Sequence, residues 1–381
     1  MRIFTVCIAL TLTVAGCAGN VQWRTPVSPD DWDRASEGFR KNATVVHIDP
    51  STAPRNLEYS PEDSAAMRAE SIMAPTLNKI MGMRGTRILI ISSNKNIIYS
   101  RYASNSLKSS TPLGYSMSKS LTSLAIGKLL CKNPSVTLKT KGKDLVAGHD
   151  GTSWGESTLE QILMMQSGSS VQEPARAGWQ SELVGARHRP IYWGGNKLDI
   201  SESMRSDDTK AFAPGVSFQY NNYDTLFLGL VIEAVSGMPF HKFFKEEIWD
   251  EVGAKHSGAW FVNEKGQTYT ASGFSADPED WIRIGNYVIE RMQKEDCFGE
   301  YLKKATFQIQ RSFVPTRCYG YQIWSWCNKD AFFFLGYGGQ YLVMSPSRRW
   351  VAYAHQTTHD NDRELIGALI NAMYSASIIR K

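Results

Sequence analysis

The sequence predicts an α/β (α+β) fold: an antiparallel sheet built from both chain ends, flanked by terminal helices, with an inserted mostly helical domain. Three observations predict it. Strand-like runs occur at 87–102 and return only after residue 318, each bounded by turn residues. Between about 103 and 310, apolar residues recur mainly at helical spacings. The composition is 42% hydrophobic and 21% charged over 381 residues, which suits a chain with a sizeable core and excludes wholesale disorder.

The elements follow in order. Residues 1–16 read as a lipoprotein signal peptide. Arg2 supplies the positive start, Ile3 to Val14 the short apolar run, and Val14-Ala15-Gly16-Cys17 the small-residue cleavage site ending in a cysteine to be lipidated. Ala18, where Asp would resemble an inner-membrane retention signal, favours the outer membrane facing the periplasm if the cell is Gram-negative. Residues 17–60 are polar and rich in Pro, Ser and Asp, and read as a lipidated tether. Residues 61–110 and 315–381 form the sheet domain, and 111–314 the helical domain.

Within them, Ser64 to Met81 is a helix, and Arg87 to Ser92 and Asn96 to Tyr102 are strands around a Ser93-Asn94-Lys95 turn. Ser157-Thr158-Leu159-Glu160 is a capping box. Leu226 to Val235 is a helix stopped by Gly237 and Pro239, and Asp277 to Met292 another, with Trp281, Ile284, Val288 and Met292 on one stripe. Strands follow at Tyr319–Trp326, Ala331–Leu335, Gln340–Met344 and Trp350–His355, and Arg363 to Ile379 closes the chain as a helix.

Charge and cysteines exclude some functions. There are 42 basic and 37 acidic residues, a net +5 with no basic run, so nucleic acid is not an expected partner. No apolar stretch reaches the roughly 20 residues of a membrane span, and there is no heptad run to specify an oligomer. An exported chain sits in an oxidising compartment, where Cys131, Cys297, Cys318 and Cys327 can pair. If 319–326 is one extended strand it separates its flanking cysteines by ~30 Å, at 3.3–3.4 Å per residue. Cys318 and Cys327 are then not expected to pair, and Cys297 becomes the partner of one of them. No cysteine–histidine spacing suggests a metal.

Three motifs carry chemistry. Ser116-Met117-Ser118-Lys119 precedes an apolar-periodic helix, so Ser116 and Lys119 share a helix face. A serine hydroxyl needs a base to become a nucleophile, and a lysine can serve. A helix N-terminus adds positive potential and backbone N–H groups where an oxyanion forms. In Tyr220-Asn221-Asn222, a tyrosine can pass protons and an asparagine amide can hold both the lysine and a substrate carbonyl. Gly336-Tyr337-Gly338-Gly339-Gln340 leads into a strand, where a backbone N–H can complete an oxyanion hole with that of Ser116. Each motif alone has an ordinary reading: a helix cap with a solvated lysine, a core tyrosine with a capping asparagine, a plain turn.

In this order and at this spacing the motifs resemble those of the serine β-lactamase and penicillin-binding protein superfamily, in its class C-like branch. That branch pairs S-x-x-K with a Y-x-N about a hundred residues later and a K-T-G or H-x-G equivalent on a late strand. Met165-Gln166-Ser167-Gly168 resembles its H-T-S-G, Pro214-Gly215 with Phe218 to Asn222 its P-G-x-x-F-x-Y-S-N, and Ala271-Ser272-Gly273-Phe274 with Asp280 its A-S-G-L…D. The resemblance spans about 60–381. It implies an acyl-enzyme at Ser116, proton transfer by Lys119 and Tyr220, Asn222 as orienting group, and an oxyanion and substrate site at Tyr337, Gly338, Gly339 and Gln340. It implies no metal or organic cofactor.

The departures matter. Tyr337 stands where members acting on β-lactams carry Lys or His, so no fixed cation awaits a substrate carboxylate. That favours a neutral ester or amide, as in the esterase and 6-aminohexanoate-oligomer-hydrolase members. A D-Ala-D-Ala carboxypeptidase or β-lactamase is the rival activity, and an inactive cell-wall-binding protein the rival class. Gly151-Thr152-Ser153-Trp154-Gly155 fits G-x-S-x-G in letters only, because a polar loop rather than a strand precedes it. Trp179, Tyr192 and Trp193 lie in a long loop that could wall a cleft.

Overall fold

The structure, a computed structural model, describes residues 44–60, 65–169, 199–307, 310–311, 317–337, 339–356 and 362–377. Cys17, the signal, residues 17–43 of the tether, the aromatic residues of the 171–198 loop, and Gly338 lie outside them.

An eight-stranded antiparallel sheet runs in the order β3-β2-β11-β10-β9-β8-β7-β6. Its strands are β2 (Thr86–Ser93), β3 (Asn96–Tyr102), β6 (Gln310–Arg311), β7 (Arg317–Tyr319), β8 (Trp324–Trp326), β9 (Phe332–Gly336), β10 (Gln340–Ser345) and β11 (Trp350–Gln356). Strand β11, from the end of the chain, pairs with β2 from the beginning, with Ala352 opposite Ile91 and Tyr353 opposite Ile90. The predicted joining of the two chain ends is therefore a direct ladder.

The central strands read as continuous apolar runs because both of their faces are buried. Alternation sorts their side chains between two cores. Ile88, Ile90, Leu342, Met344, Val351 and Tyr353 face one, and Leu89, Ile91, Tyr341, Val343, Ala352 and Ala354 the other. The second core is closed by helices α1 (Ala65–Gly82) and α11 (Asp362–Ser377), through Met73, Leu77, Ile80, Leu365, Leu369 and Met373.

The first core is closed by the inserted region. Its helices are α2 (Met117–Lys132), α3 (Ser153–Glu156), α4 (Leu159–Leu163), α5 (Ile200–Asp207), α6 (Asn222–Ser236), α7 (Phe240–Phe244), α8 (Asp250–Val252), α9 (Pro278–Met292) and α10 (Cys297–Phe307). Helix α9 starts with Pro278 at a position that needs no N–H, capped by the Asp277 side chain. It lies close on the sheet: a Cβ at Gly285 would come within 2.4 Å of Val351 Cγ1.

Five expectations need correction. The insertion also carries β4 (Gly258–Phe261) and β5 (Phe274–Ser275), which form a second sheet with β1 (Val45–Ile48). Strand β1 belongs to the predicted tether, yet it is paired along β4. The Ser51 and Arg55 N–H groups continue the attachment, donating to Ala254 O and Gly253 O at 2.8 and 2.9 Å. Polar composition suggested a tether, but backbone hydrogen bonds need no apolar side chains.

The box before α4 is shifted by one residue, with Thr158 as cap and Gln161 as its reciprocal partner. The Ser157 hydroxyl instead donates to Ser153 O at 2.6 Å.

The run 319–326 is not one strand. Gly320 N–H donates to Ile323 O at 2.8 Å and Gln322 takes a left-handed φ of 57°, so the chain reverses. Strands β7 and β8 then face each other, with Cys318 opposite Ser325.

That reversal overturns the cysteine expectation. Cys318 and Cys327 are disulfide-bonded, with Cα atoms 5.1 Å apart. Cys297 pairs with Cys131 and ties the start of α10 to the end of α2.

Candidate active site

Ser116 stands at the mouth of α2. The chain arrives through Gly114, whose N–H donates to Phe274 O at 2.8 Å, and a Cβ there would strike the Trp281 ring at 2.6 Å. Tyr115 then takes a left-handed φ of 47°, a conformation that costs a non-glycine residue and that the surrounding packing must enforce. From 112 to 129 every residue is buried except Ser116. The next three N–H groups turn back onto the carbonyls of Gly114, Tyr115 and Ser116, whereas the Ser116 N–H has no acceptor among the described residues. A hydroxyl and an unpaired N–H on one residue at a helix N-terminus are the two groups an acyl transfer centre needs.

Lys119 is 1% exposed. Its Nζ donates to Ser116 Oγ at 3.2 Å, to Ala271 O at 3.0 Å and to Asn222 Oδ1 in a short contact. These are three neutral oxygens for the three protons of an ammonium. Asn222 makes this contact while its neighbour does the capping: Asn221 Oδ1 accepts the Asp224 N–H at 2.7 Å. Ala271 is held in place by flanking bonds. Thr270 Oγ1 donates to Thr225 O at 2.9 Å, Thr122 Oγ1 donates to Thr270 O at 3.1 Å, and the Phe274 N–H donates to Ser118 Oγ at 3.0 Å. Ser118 is thus a structural hydroxyl.

Tyr220 brings its ring to 5.0 Å from Lys119 Nζ, within cation–π range. The ring is half-buried against Trp324 at 5.5 Å and edge-on to Tyr319 at 5.9 Å. The hairpin closed by the Cys318–Cys327 bond therefore supports it.

The turn between β9 and β10 adjoins the serine: a Cβ on Gly336 would meet Gly114 O at 2.4 Å. Tyr337 is partly buried against the first core and carries no charge. Gly339 has a φ of 88° and its N–H points to Gly336 O at 3.4 Å. Gln340 opens β10 opposite Gly336 and His355, and its buried side chain donates to Gln356 O at 3.3 Å. Of the residues predicted from sequence, Ser116, Lys119, Tyr220 and Asn222 meet directly, and Gly336, just before Tyr337, lies against Gly114 on the approach to Ser116.

Ser153 does not belong to the site. It is buried in α3, and its N–H donates to Asp208 Oδ2 at 2.7 Å. His256, Asp277 and Asp280 place their ligand atoms within 4.8 Å of one another. The Asp280 oxygens already accept from the Lys255 and His256 N–H groups and the Arg283 guanidinium, so they anchor the start of α9.

The sequence reading missed two positions. The Ala271 carbonyl could have been flagged through the A-S-G-F match, but a main-chain acceptor leaves no side-chain signal. Asp224 is fully buried two residues beyond Asn222. Burial pushes its carboxyl up to about 6, against bonds from Ser167 and Trp154 that pull it down.

No curated protein matches the sequence. Solved structures do. A Bacillus anthracis protein assigned as a 6-aminohexanoate-dimer hydrolase is 17% identical with a TM-score of 0.75, over 92% of this chain and 95% of that one. EstCE1, a hydrolase with promiscuous acyltransferase activity, is 14% identical with a TM-score of 0.63, over 82% and 100%. A penicillin-binding protein from Bacillus halodurans is 16% identical with a TM-score of 0.58, over 78% and 98%. At such identities the likeness is one of fold. The family model described as Beta-lactamase, however, matches residues 78–372, most of the chain and all four residues around Lys119, and the chain belongs to that family.

Proposed function

We propose that this protein is a lipid-anchored serine hydrolase that cleaves a neutral ester or amide through an acyl-enzyme on Ser116. One observation carries the reading: a buried Lys119 amine 3.2 Å from a partly exposed Ser116 hydroxyl. In its neutral form that amine takes the Ser116 proton as Oγ attacks the acyl carbon. Lys119 and Tyr220 titrate as a coupled pair and return the proton to the leaving group. The Ser116 N–H and the backbone N–H of Gln340 or Gly339 hold the oxyanion. Asn222 keeps Lys119 in register and contacts the substrate. Water then releases the acid, activated by the same pair.

The substrate class rests on Tyr337, which offers no cation to a carboxylate. This fits the carboxylesterase or 6-aminohexanoate-oligomer-hydrolase type better than a β-lactamase or D-Ala-D-Ala carboxypeptidase. The anchor rests on Val14 to Cys17, and the proposed place is the outer membrane facing the periplasm.

The test is a fluorophosphonate probe followed by a substrate panel. The probe should label Ser116 and lose all labelling in Ser116→Ala. Purified protein should turn over short p-nitrophenyl esters with higher kcat/KM than nitrocefin or D-Ala-D-Ala peptides. Labelling that survives Ser116→Ala would refute the nucleophile, and a preference for nitrocefin would refute the substrate class. Cys17→Ser should release the protein from membranes, and retention without acyl mass on the wild type would refute the anchor.

A further inference from the structure

We infer that Asp224 is a positioning residue that holds Tyr220 and Asn222 against Lys119, an inference that rests on the serine-hydrolase reading above. Two other segments meet at its carboxyl group, and its backbone N–H ties in a third residue. Trp154, from the G-T-S-W-G stretch, donates its indole N–H to Asp224 Oδ1 at 2.9 Å. Ser167, from the M-Q-S-G stretch, donates its hydroxyl to the same oxygen at 2.6 Å. The Asp224 N–H closes the cap on Asn221.

These bonds fix both neighbours of Tyr220. Asn221 Nδ2 donates to Gln219 O at 2.9 Å, and the Gln219 N–H donates to Met165 O at 2.8 Å. The 165–167 segment that Gln219 grips is the one Asp224 holds through Ser167. Tyr220 is thus clamped from behind, and Asn222 follows at the first position of α6.

One carboxyl oxygen does this work. Oδ1 takes both donors, while Oδ2 meets no donor among the described residues. A residue needed as a double acceptor requires an oxygen and not a charge. Removing that oxygen leaves two buried donors unpaired and frees the segment to shift. A displacement of about 1 Å at a catalytic group can cost about 10²-fold in rate.

The test compares Asp224→Asn with Asp224→Ala, with folding checked by circular dichroism. Turnover is followed on p-nitrophenyl butyrate and acylation with the fluorophosphonate. Asp224→Asn keeps the Oδ1 acceptor and should stay close to wild type. Asp224→Ala should lose about 10²-fold in kcat with little change in KM, because the scaffold and not the substrate loses a contact. If Asp224→Ala does not fold, Trp154→Phe and Ser167→Ala each remove one donor, and each should lower kcat without raising KM. Wild-type kcat in a folded Asp224→Ala, equal losses in Asp224→Asn and Asp224→Ala, or wild-type kcat in both donor variants would overturn the positioning role. Failure of the wild type to be labelled at Ser116 is a different outcome, and overturns the parent reading.

Discussion

Lys119 gives one proton to the carbonyl of Ala271, 152 residues away and on a different segment. The amine is thus aimed from two sides, by this main-chain oxygen and by Asn222. Lys119→Ala removes the proposed base and should lower the acylation rate by about 10²–10⁴-fold, the usual size of a general-base term. Stopped-flow labelling with the fluorophosphonate measures it. Near-wild-type acylation in a folded variant would mean that Lys119 only packs.

Asn222→Asp tests the electrostatics of the same contact. It places a carboxylate against Lys119 Nζ with little change of shape. A neighbouring negative charge favours the ammonium form, so less neutral amine is present at pH 7. The kcat/KM should fall, and its rising alkaline limb should move to higher pH. An unshifted pH profile would count against Lys119 as the proton acceptor.

Gly336→Ala tests the turn that flanks the serine. The added Cβ would lie 2.4 Å from Gly114 O, a backbone atom that cannot swing aside. Either the Tyr337–Gln340 turn or the Gly114–Ser116 approach must move, and kcat should drop by about 10²-fold. Thermal stability should fall by less than a cavity mutation in the core would cost. Unchanged kcat would remove this turn from the catalytic centre.

The two disulfides should separate stability from turnover. Cys131–Cys297 spans 166 residues and Cys318–Cys327 spans 9. On the loop-entropy account their removal costs about 5 and about 3 kcal/mol. Turnover should rank the other way, because the short loop holds Tyr319 and Trp324 against Tyr220. Urea unfolding and kcat of the two double-serine variants give both rankings. Loss of turnover only with the long-range bond would contradict this division.

That hairpin also marks where the sequence stops being legible. Its residues alternate and pack like a strand, and the reversal rests on Gly320 and a left-handed Gln322, a residue type with no preference for that conformation. By contrast, the central strands β2, β10 and β11 were legible because they are apolar on both faces, and α9 because its stripe and its Asp277-Pro278 start agree. The candidate site was legible where side chains meet, at Ser116, Lys119, Tyr220 and Asn222. Ala271 acts through its backbone and Asp224 through burial, and neither property is written in one residue's identity.

Asp224 makes the last prediction one of pH. Its folded carboxyl is pushed up to about 6 by burial, from 3.8, while the Ser167 and Trp154 donors oppose the rise. The folded chain therefore holds this proton more tightly than the unfolded chain. The stabilisation is fully present below the unfolded value and is lost as pH climbs through about 6, at a cost of about 3 kcal/mol. Asp224→Asn has no proton to lose. Its stability relative to wild type should rise by up to that amount between pH 4 and pH 7.5, and then level off. Asp277 is also raised to about 6 by burial, but it is present in both proteins and cancels in the difference. Urea unfolding of the pair across this range gives the curve. A difference that stays flat with pH would show that the carboxyl ionises as in the unfolded chain, and that the pocket around Oδ2 admits water.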